Sequence, residues 1–274
     1  MGEKILLAHG SGSRLSHDLI SKLLAPVVMN PVLAHMDDSA VLDLSGRLAF
    51  TTDSYVVNPI FFPGGDIGRL AVCGTVNDLS MSGAKPLYIS LALIIEEGLD
   101  IDDLRRIMES VREAIVEAGV LVVTGDTKVV DRGKADRLFI NTAGIGVIAG
   151  EENISGSNAR PGDKIILSGG IGEHGMAVMS QREGLHFSLP LPSDCAPLNH
   201  LVAAMMAASS NIHSLRDPTR GGLASTLNEF ASQSNAGIVI EEIKYRCMTA
   251  CAGPANCWGL IHCISPTRAS WWPW

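Results

Sequence analysis

The sequence has no long run of basic residues, no P-loop and no apolar segment long enough to cross a bilayer. The formal net charge is −8, so nucleic acid is not an expected partner. The longest apolar run, Leu87–Ile95, is much shorter than the roughly 20 residues that a membrane helix needs. The opening MGEKILLAHGSG lacks the apolar core of a signal peptide. We therefore expect a soluble, cytoplasmic protein that does not associate with membranes.

Disulfides and structural zinc are also not expected. The chain has six cysteines, but without a secretory signal a disulfide framework is improbable in an intracellular protein. Cys73 and Cys195 are scattered in the body of the sequence. The remaining four crowd the end of the sequence with a spacing that matches no familiar zinc motif: Cys247, Cys251, Cys257 and Cys263.

Alternating apolar patterns predict a two-domain α/β (α+β) protein. The first domain, 1–150, has strands expected at 47–57, 87–95, 121–124 and 139–149 and helices at 66–82 and 100–118. A linker rich in Gly, Ser, Asn and Pro covers 150–162. The second domain, 156–245, has strands expected at 163–168 and 238–242 and helices at 175–183, 198–209 and 221–234. This pattern predicts a complete N-terminal domain and an incomplete C-terminal domain.

Four aspartates lie at strand ends or inside an apolar helix: Asp38, Asp53, Asp78 and Asp126. Mg²⁺ prefers hard oxygen ligands and shares them with nucleotide phosphates, so this set suits Mg-ATP; each residue could instead cap a turn or helix. Asp78 is harder to explain as a cap, because a carboxylate on an apolar helix needs a partner. Lys128 follows the last aspartate and could neutralise a transferred phosphoryl group, or be a solvated surface lysine.

Two glycine motifs could each form either a ligand-binding turn or an ordinary structural turn. Gly170, Gly172 and Gly175 form a G-x-G-x-x-G with Asp194 at about the distance of a dinucleotide ribose ligand. Asp194 lies in a Pro-rich loop rather than at a strand end, however, so a glycine turn that packs a strand on a helix is the favoured interpretation. Residues 217–222, DPTRGG, are consistent with an anion site at a helix start or with an ordinary turn.

Longer motifs resemble a known family. LAHGSG, DDSAVL, FTTDSYVVNPIFFPGGDIGRLAVCGTVNDLSMSGAKPLY, TGDTKVVDRGKADRLFINTAGIGV and LRDPTRGGLASTLNEFA are similar to the HypE family of hydrogenase maturation factors. That family belongs to the PurM-like superfamily of aminoimidazole ribonucleotide synthetase. The combination of FFPGGDIG with TGDTKVV separates it from selenophosphate and thiamine-phosphate relatives. The resemblance covers residues 4 to about 243.

The resemblance implies a homodimer that joins through its N-terminal domain and binds ATP with Mg²⁺. By position, Asp38, Thr52, Asp53, Asp78 and Asp126 would hold Mg-ATP, with the aspartates as metal ligands, and Lys128 would be catalytic. The carbamoyltransferase HypF would load a carbamoyl group on a C-terminal cysteine, ATP would drive its dehydration to a thiocyanate, and the cyano group would pass to a HypC–HypD scaffold. Phosphorylation makes the amide oxygen a good leaving group, and Mg²⁺ with a lysine offsets the charge.

The last 29 residues depart from this pattern. Residues 246–274 contain no Asp or Glu, whereas the first 245 contain all 29, and all four tryptophans lie in 258–274. One choice of synonymous codons for this tail, read from the last base of the Tyr245 codon, gives PVHDGVRGACELLGLDPLYIANEGKLVAM, which resembles the family's continuation. A one-base deletion near Lys244 is the simplest explanation, and a true Cys/Trp tail that binds a metal or a partner is the alternative.

Three hypotheses follow from these features. The first is a HypE-type dehydratase whose 274 residues lack the family's carrier cysteine and are therefore expected to be inactive in cyanation. The second is a non-catalytic dimerisation or binding subunit. The third is another ATP-using PurM-like enzyme, such as a small-molecule kinase.

Overall fold

Four long strands form the central sheet. The computed structural model describes residues 3–37, 39–151, 153–185, 191–219 and 221–240. In the sheet, β1 (Arg47–Tyr55), β4 (Ala84–Glu96), β5 (Leu121–Val130) and β6 (Leu138–Ile148) lie in the order β1-β6-β4-β5. The pair β4 and β5 is parallel, and the other neighbours are antiparallel. The short strands β2 (Phe61–Phe62) and β3 (Gly65–Asp66) form a separate ribbon.

Helices cover one face of this sheet, and further helices come after the last sheet strand in the sequence. An N-terminal helical segment runs through α1 (Arg14–Leu19), a π-helical stretch (Ile20–Leu24) and α2 (Ala25–Val28). The long helices α3 (Ile67–Met81) and α4 (Ile101–Ala118) pack together, with α3 against the sheet. Three further helices follow: α5 (Glu173–Glu183), α6 (Asn199–Ala208) and α7 (Gly222–Ser234). No helix of the described residues is long and apolar enough to span a membrane.

Local sequence explains where α3 and α4 begin and end. The Asp66 carboxylate caps α3 by accepting hydrogen bonds from the backbone N–H groups of Gly68 (2.8 Å) and Arg69 (3.0 Å), which have no partner inside the helix. Helix α4 carries two aspartates in its first turn and ends at Gly119, which adopts a left-handed conformation (φ 69°) that costs glycine little.

Hydroxyl contacts and close approaches fix α3 on the sheet. Tyr55 Oη lies 3.2 Å from Thr75 Oγ1, and Thr75 is also hydrogen-bonded to the hydroxyl of Thr142. A side-chain carbon added at Gly74 would lie 2.3 Å from Tyr55 Oη, and one added at Gly144 would lie 2.7 Å from Thr75 Cγ2. The glycines therefore let helix and sheet approach closely, and this fixes the position of the end of α3 beside β1.

The structure confirms the predicted strands and helices of the first 150 residues and corrects one boundary. Strand β5 does not end at Thr124 but continues to Val130, so Asp126 and Lys128 lie inside a strand rather than after it. The strand is longer than predicted because β5 continues its parallel pairing with β4 through Val130.

In the second half, the expected helices form, but the described residues of the two expected strands do not form strands. Residues 163–167 and the described part of 238–242, which ends at residue 240, pair with no other described strand. Their apolar side chains are exposed, as in Ile166 (81% exposed) and Val239 (88% exposed). A strand cannot form without a neighbour for its backbone groups, and in the described part of the chain these segments have none.

Candidate functional site

Two of the predicted aspartates meet on the face of the sheet that α3 covers, here called the inner face. Asp53 of β1 pairs with Thr142 of β6, whose hydroxyl is buried against α3, so Asp53 lies on the inner face. Asp78 lies near the end of α3 and accepts a hydrogen bond from Thr51 Oγ1 at 3.0 Å. The partner that Asp78 requires is thus Thr51, one residue before the predicted Thr52.

A third carboxylate joins them from the second half of the chain. Asp217, in the segment between α6 and α7, interacts electrostatically with both Asp78 and Asp53. We call Asp53, Asp78 and Asp217 the acidic cluster. Sequence reasoning singled out DPTRGG for a helix start, but it did not select the aspartate that begins this motif.

Burial and mutual repulsion disturb the ionisation of this cluster. Burial is the main cause that raises the pKa of Asp217 from 3.8 to about 6, and the negative charge of Asp78 raises it further. Burial also raises the pKa of Asp78, with the charge of Asp53 adding to the effect. Arg216 partly offsets the repulsion while forming an ion pair with Glu229 at 3.0 Å. A bound cation would relieve this repulsion.

The acidic cluster suits a metal ion that takes some of its ligands from a bound nucleotide and from water. Among the described residues, no group of three or more His, Cys, Asp or Glu side chains is arranged to hold a metal ion by itself. Mg²⁺ commonly binds through one or two carboxylates, with substrate phosphates and waters completing its octahedron. The oxygen ligands of the acidic cluster therefore fit Mg²⁺ bound together with a nucleotide.

The other predicted residues lie on the opposite, outer face of the sheet. Asp126 pairs with Ala92 of β4, and Ala92 pairs with Asn141 of β6, so the three side chains point to the same face. Asn141 precedes Thr142, whose side chain points to the inner face, so Asn141 and Asp126 point to the outer face. Lys128 lies on the same face, with its Nζ 3.8 Å from Asp126 Oδ1, and both side chains are about two-thirds exposed (65% and 63%). Thr52 also faces outward, and its hydroxyl donates to the carbonyl of Thr142 at 3.1 Å.

The sequence suggested that three aspartates converge within one chain: Asp53, Asp78 and Asp126. Only Asp53 and Asp78 do so. Three strand spacings, about 14 Å, separate β1 from β5, and Asp126 faces away from the acidic cluster. Asp126 points away because side chains alternate between the two faces along a strand. Gly125 lies at the inner-face position, and Asp126, the next residue, therefore points to the outer face. Asp38 lies outside the described residues.

The two glycine motifs can also be assessed. Gly172 has a left-handed conformation (φ 82°) and precedes α5, but the strand that should lead into a dinucleotide-binding turn does not form. The glycine-turn interpretation of 170–175 therefore fits and the dinucleotide interpretation does not. In DPTRGG, α7 begins directly after Gly221, and Arg220 lies outside the described residues.

Comparison with known proteins defines the class. Residues 36–148 match the family model of AIR synthase related protein, N-terminal domain, and residues 160–265 match that of the C-terminal domain. Carbamoyl dehydratase HypE of Azotobacter vinelandii is 52% identical over 237 residues, which are 86% of this chain and 70% of that protein. HypE of Escherichia coli K12 is 43% identical over 262 residues, 93% of this chain and 78% of that protein.

Solved structures agree. A crystal structure of HypE in complex with ATP has a TM-score of 0.90 and 53% identity, covering 93% of this chain and 76% of that one. HypE in a HypE–HypF complex has a TM-score of 0.76 and 51% identity, covering 88% and 78%. The fold is that of the AIR synthase related, PurM-like proteins, and within them this chain belongs to the HypE family of carbamoyl dehydratases.

Replacing Asp217 by Asn should stabilise the metal-free protein at neutral pH. Because folding raises the pKa of Asp217 above its ordinary value of 3.8 to about 6, its charged form opposes folding above pH 6, and the wild-type protein regains this stability as the pH falls from 6 towards 4. We expect Asp217→Asn to add about 1–2 kcal/mol at pH 7.5 and almost nothing at pH 4. Urea unfolding at both pH values measures this, and an equal effect at the two would contradict it.

Proposed function

We propose that the gene of this chain encodes the ATP-dependent carbamoyl dehydratase of hydrogenase maturation, which converts a carbamoylated cysteine into a thiocyanate, and that the 274-residue chain itself is inactive because it lacks the carrier cysteine. The observation that carries the proposal is the acidic cluster on the inner face, in a fold shared at 53% identity with an ATP-bound HypE. Buried carboxylates that repel one another are expected where a cation and phosphates bind. A cytoplasmic location, expected from the sequence, is part of the same proposal.

Mg-ATP would bind at the acidic cluster. Asp53, Asp78 and Asp217 supply hard oxygen ligands on the inner face, and Asp38, which the resemblance includes, would join them from the segment before β1. Bound Mg²⁺ would neutralise the phosphates and stabilise negative charge on the group that is transferred. Asp126 and Lys128 complete the predicted set from the outer face.

A second copy of the chain would allow residues of the inner face and residues of the outer face to form one site. The outer face exposes the large apolar side chains of Leu48 (53% exposed), Phe50 (69%) and Ile94 (41%), and an apolar surface of this kind favours association. A two-fold dimer buries the same surface on both protomers. In the homodimer that we propose, Asp126 and Lys128 of one protomer complete the acidic cluster of the other.

The reaction balances without an oxidant or reductant. The oxygen of a carbamoyl group on a cysteine sulfur attacks the γ-phosphorus of ATP, which forms an O–P bond and releases ADP. One N–H proton leaves as the O-phosphorylated imidate forms, and loss of the phosphate with the second N–H proton leaves S–C≡N. Lys128 would offset the charge on the phosphoryl oxygens during transfer. In this scheme HypF supplies the carbamoyl group and a HypC–HypD complex accepts the cyano group.

We further propose that 1–150 is the ATP-binding and dimerisation domain, 156–245 a partial second domain, and 246–274 an out-of-frame reading. The exposed, unpaired segments at 163–167 and 238–240 support this division, because they carry the apolar pattern of strands but have no partners among the described residues. The thiamine monophosphate kinase neighbour, at 18% identity and a TM-score of 0.66, shares only the fold, so it gives the kinase alternative no support.

The test is dehydration of the carrier cysteine. A gene with one base restored near codon 244 should yield a chain that, with HypF, carbamoyl phosphate and Mg-ATP, is first carbamoylated and then loses the mass of one water. The 274-residue chain, assayed in parallel, should not form this product. The family resemblance implies a carrier cysteine directly after a Pro-Arg pair, and no cysteine of this sequence follows such a pair. Equal cyanation by both chains would overturn the assignment of the tail, and failure of the restored chain to lose water would overturn the proposed reaction.

A further inference from the structure

One stripe of α3 holds a segment from the second half of the chain. We call this segment, residues 191–198, the strap; it leads into α6. Arg69 Nε donates to the carbonyl of Cys195 at 3.0 Å. Two turns further along the helix, Asn77 Nδ2 donates to the carbonyl of Ala196 at 3.1 Å, and Asn77 Oδ1 accepts from the N–H of Leu198 at 2.7 Å. The strap is therefore bound to α3 at Cys195 and at the residues that follow it.

This arrangement places two thiols against each other. Cys73 lies midway between Arg69 and Asn77 on the same stripe, since positions i, i+4 and i+8 share one helix face. Cys73 belongs to the buried core, and Cys195 packs against that core from the strap. Both cysteines are free, and their thiols lie close enough for an interaction between them to shift the pKa of each. Hydrogen bonds from the helix residues on both sides of Cys73 thus hold the strap backbone at and after Cys195 before any bond forms between the sulfurs.

The two thiols differ in exposure and ionisation. Cys73 is buried, whereas Cys195 is partly exposed. The interaction with Cys73 lowers the pKa of Cys195, and the nearby Arg69 charge acts in the same direction. The same contact, with burial, raises the pKa of Cys73. Because the thiolate is the reactive species, Cys195 is the thiol that a small disulfide would meet first.

We propose that Cys73 and Cys195 form a disulfide site that links α3 covalently to the strap under oxidising conditions. The Cys195 thiolate attacks a small-molecule disulfide such as oxidised glutathione, forms a mixed disulfide and releases one thiol. The Cys73 thiol then loses its proton and displaces the second thiol, leaving an S–S bond between α3 and the strap. The protein loses two electrons, and the small disulfide gains them. The link joins the helix that carries Asp78 to the chain that leads to Asp217.

Peptide mapping of the 274-residue chain tests this directly. After incubation with oxidised glutathione, blocking of free thiols and digestion with trypsin without reductant, Cys73 and Cys195 fall in separate peptides, 70–105 and 183–216, each with one cysteine. We expect these two peptides to appear as one linked species that dithiothreitol separates. Cys195 joined to glutathione or to a tail cysteine, with Cys73 free, would overturn the proposal.

Thermal unfolding provides a second readout. The link would close a loop of more than 100 residues, so oxidation should raise Tm by about 5–10 °C, and reduction should reverse the rise. Cys73→Ser and Cys195→Ser should each remove the redox dependence of Tm, whatever they do to the starting value. A redox-dependent Tm that persists in either variant would assign the effect to other cysteines and contradict the proposal.

Discussion

Asp78→Asn is expected to weaken Mg-ATP binding by about 100-fold or more, equivalent to about 2.7 kcal/mol. Asp78 is half-buried on α3, held by Thr51 and repelled by Asp53. The amide of Asn keeps the size of the side chain but removes the charge that a magnesium ion requires from its ligand. Isothermal titration with ATP, in the presence and absence of Mg²⁺, measures the change.

Asp102→Asn is the matched control for that variant. It makes the same chemical change at an exposed residue in the first turn of α4 (80% exposed), on the surface and away from the acidic cluster, and should leave the affinity unchanged. Asp78→Asn should also keep or raise the thermal stability, because it removes a buried charge with a raised pKa. An Asp78→Asn protein that is folded and binds Mg-ATP like the wild type would show that the cluster is not the nucleotide site.

Lys128→Ala is expected to lower the rate of dehydration by about 100- to 1000-fold while changing the affinity for Mg-ATP much less. Lys128 lies on the outer face, where its side chain is two-thirds exposed and its Nζ lies 3.8 Å from Asp126 Oδ1. A charge that acts on the phosphoryl group during transfer affects the transition state more than the bound nucleotide. The readout is single-turnover loss of water from the carbamoylated, frame-restored chain.

Lys85→Ala serves as the control for the loss of a lysine from the sheet. Lys85 is exposed on β4 and pairs with Val147 at the far end of the sheet, so its removal should leave the rate intact. If Lys128→Ala raised the KM for ATP without lowering kcat, Lys128 would be a binding residue rather than a catalytic one.

Much of the first domain could be predicted because its local signals agree with its packing. Asp66 marks the start of α3, and the apolar stripe of α4 marks the face that it buries, so both helices appear within two residues of their expected bounds. The end of β5 could not be predicted in the same way. Gly125 and Asp126 favour a turn in isolation, and only pairing with β4 keeps them extended.

The sequence proposed candidate site residues, but it did not predict on which face of the sheet each of them lies. Motif resemblance selected Thr52, whereas the hydroxyl that contacts Asp78 belongs to Thr51, because neighbouring residues of a strand point to opposite faces. Asp217 joins the cluster through contacts between the two halves of the chain, which no local pattern encodes. The strands expected at 163–168 and 238–242 required partners that the described residues do not supply.

Mixing two inactive variants of the frame-restored chain tests most directly whether two protomers build each site. Asp78→Asn changes the inner face, and Lys128→Ala changes the outer face. If each site combines the acidic cluster of one protomer with Lys128 of the other, half of the sites in a mixed dimer are intact. Co-expression at equal levels should then recover about one quarter of the wild-type dehydration activity, since half of the dimers are mixed. Recovery of that size is the result we predict, and activity no greater than that of either variant alone would contradict the composite site.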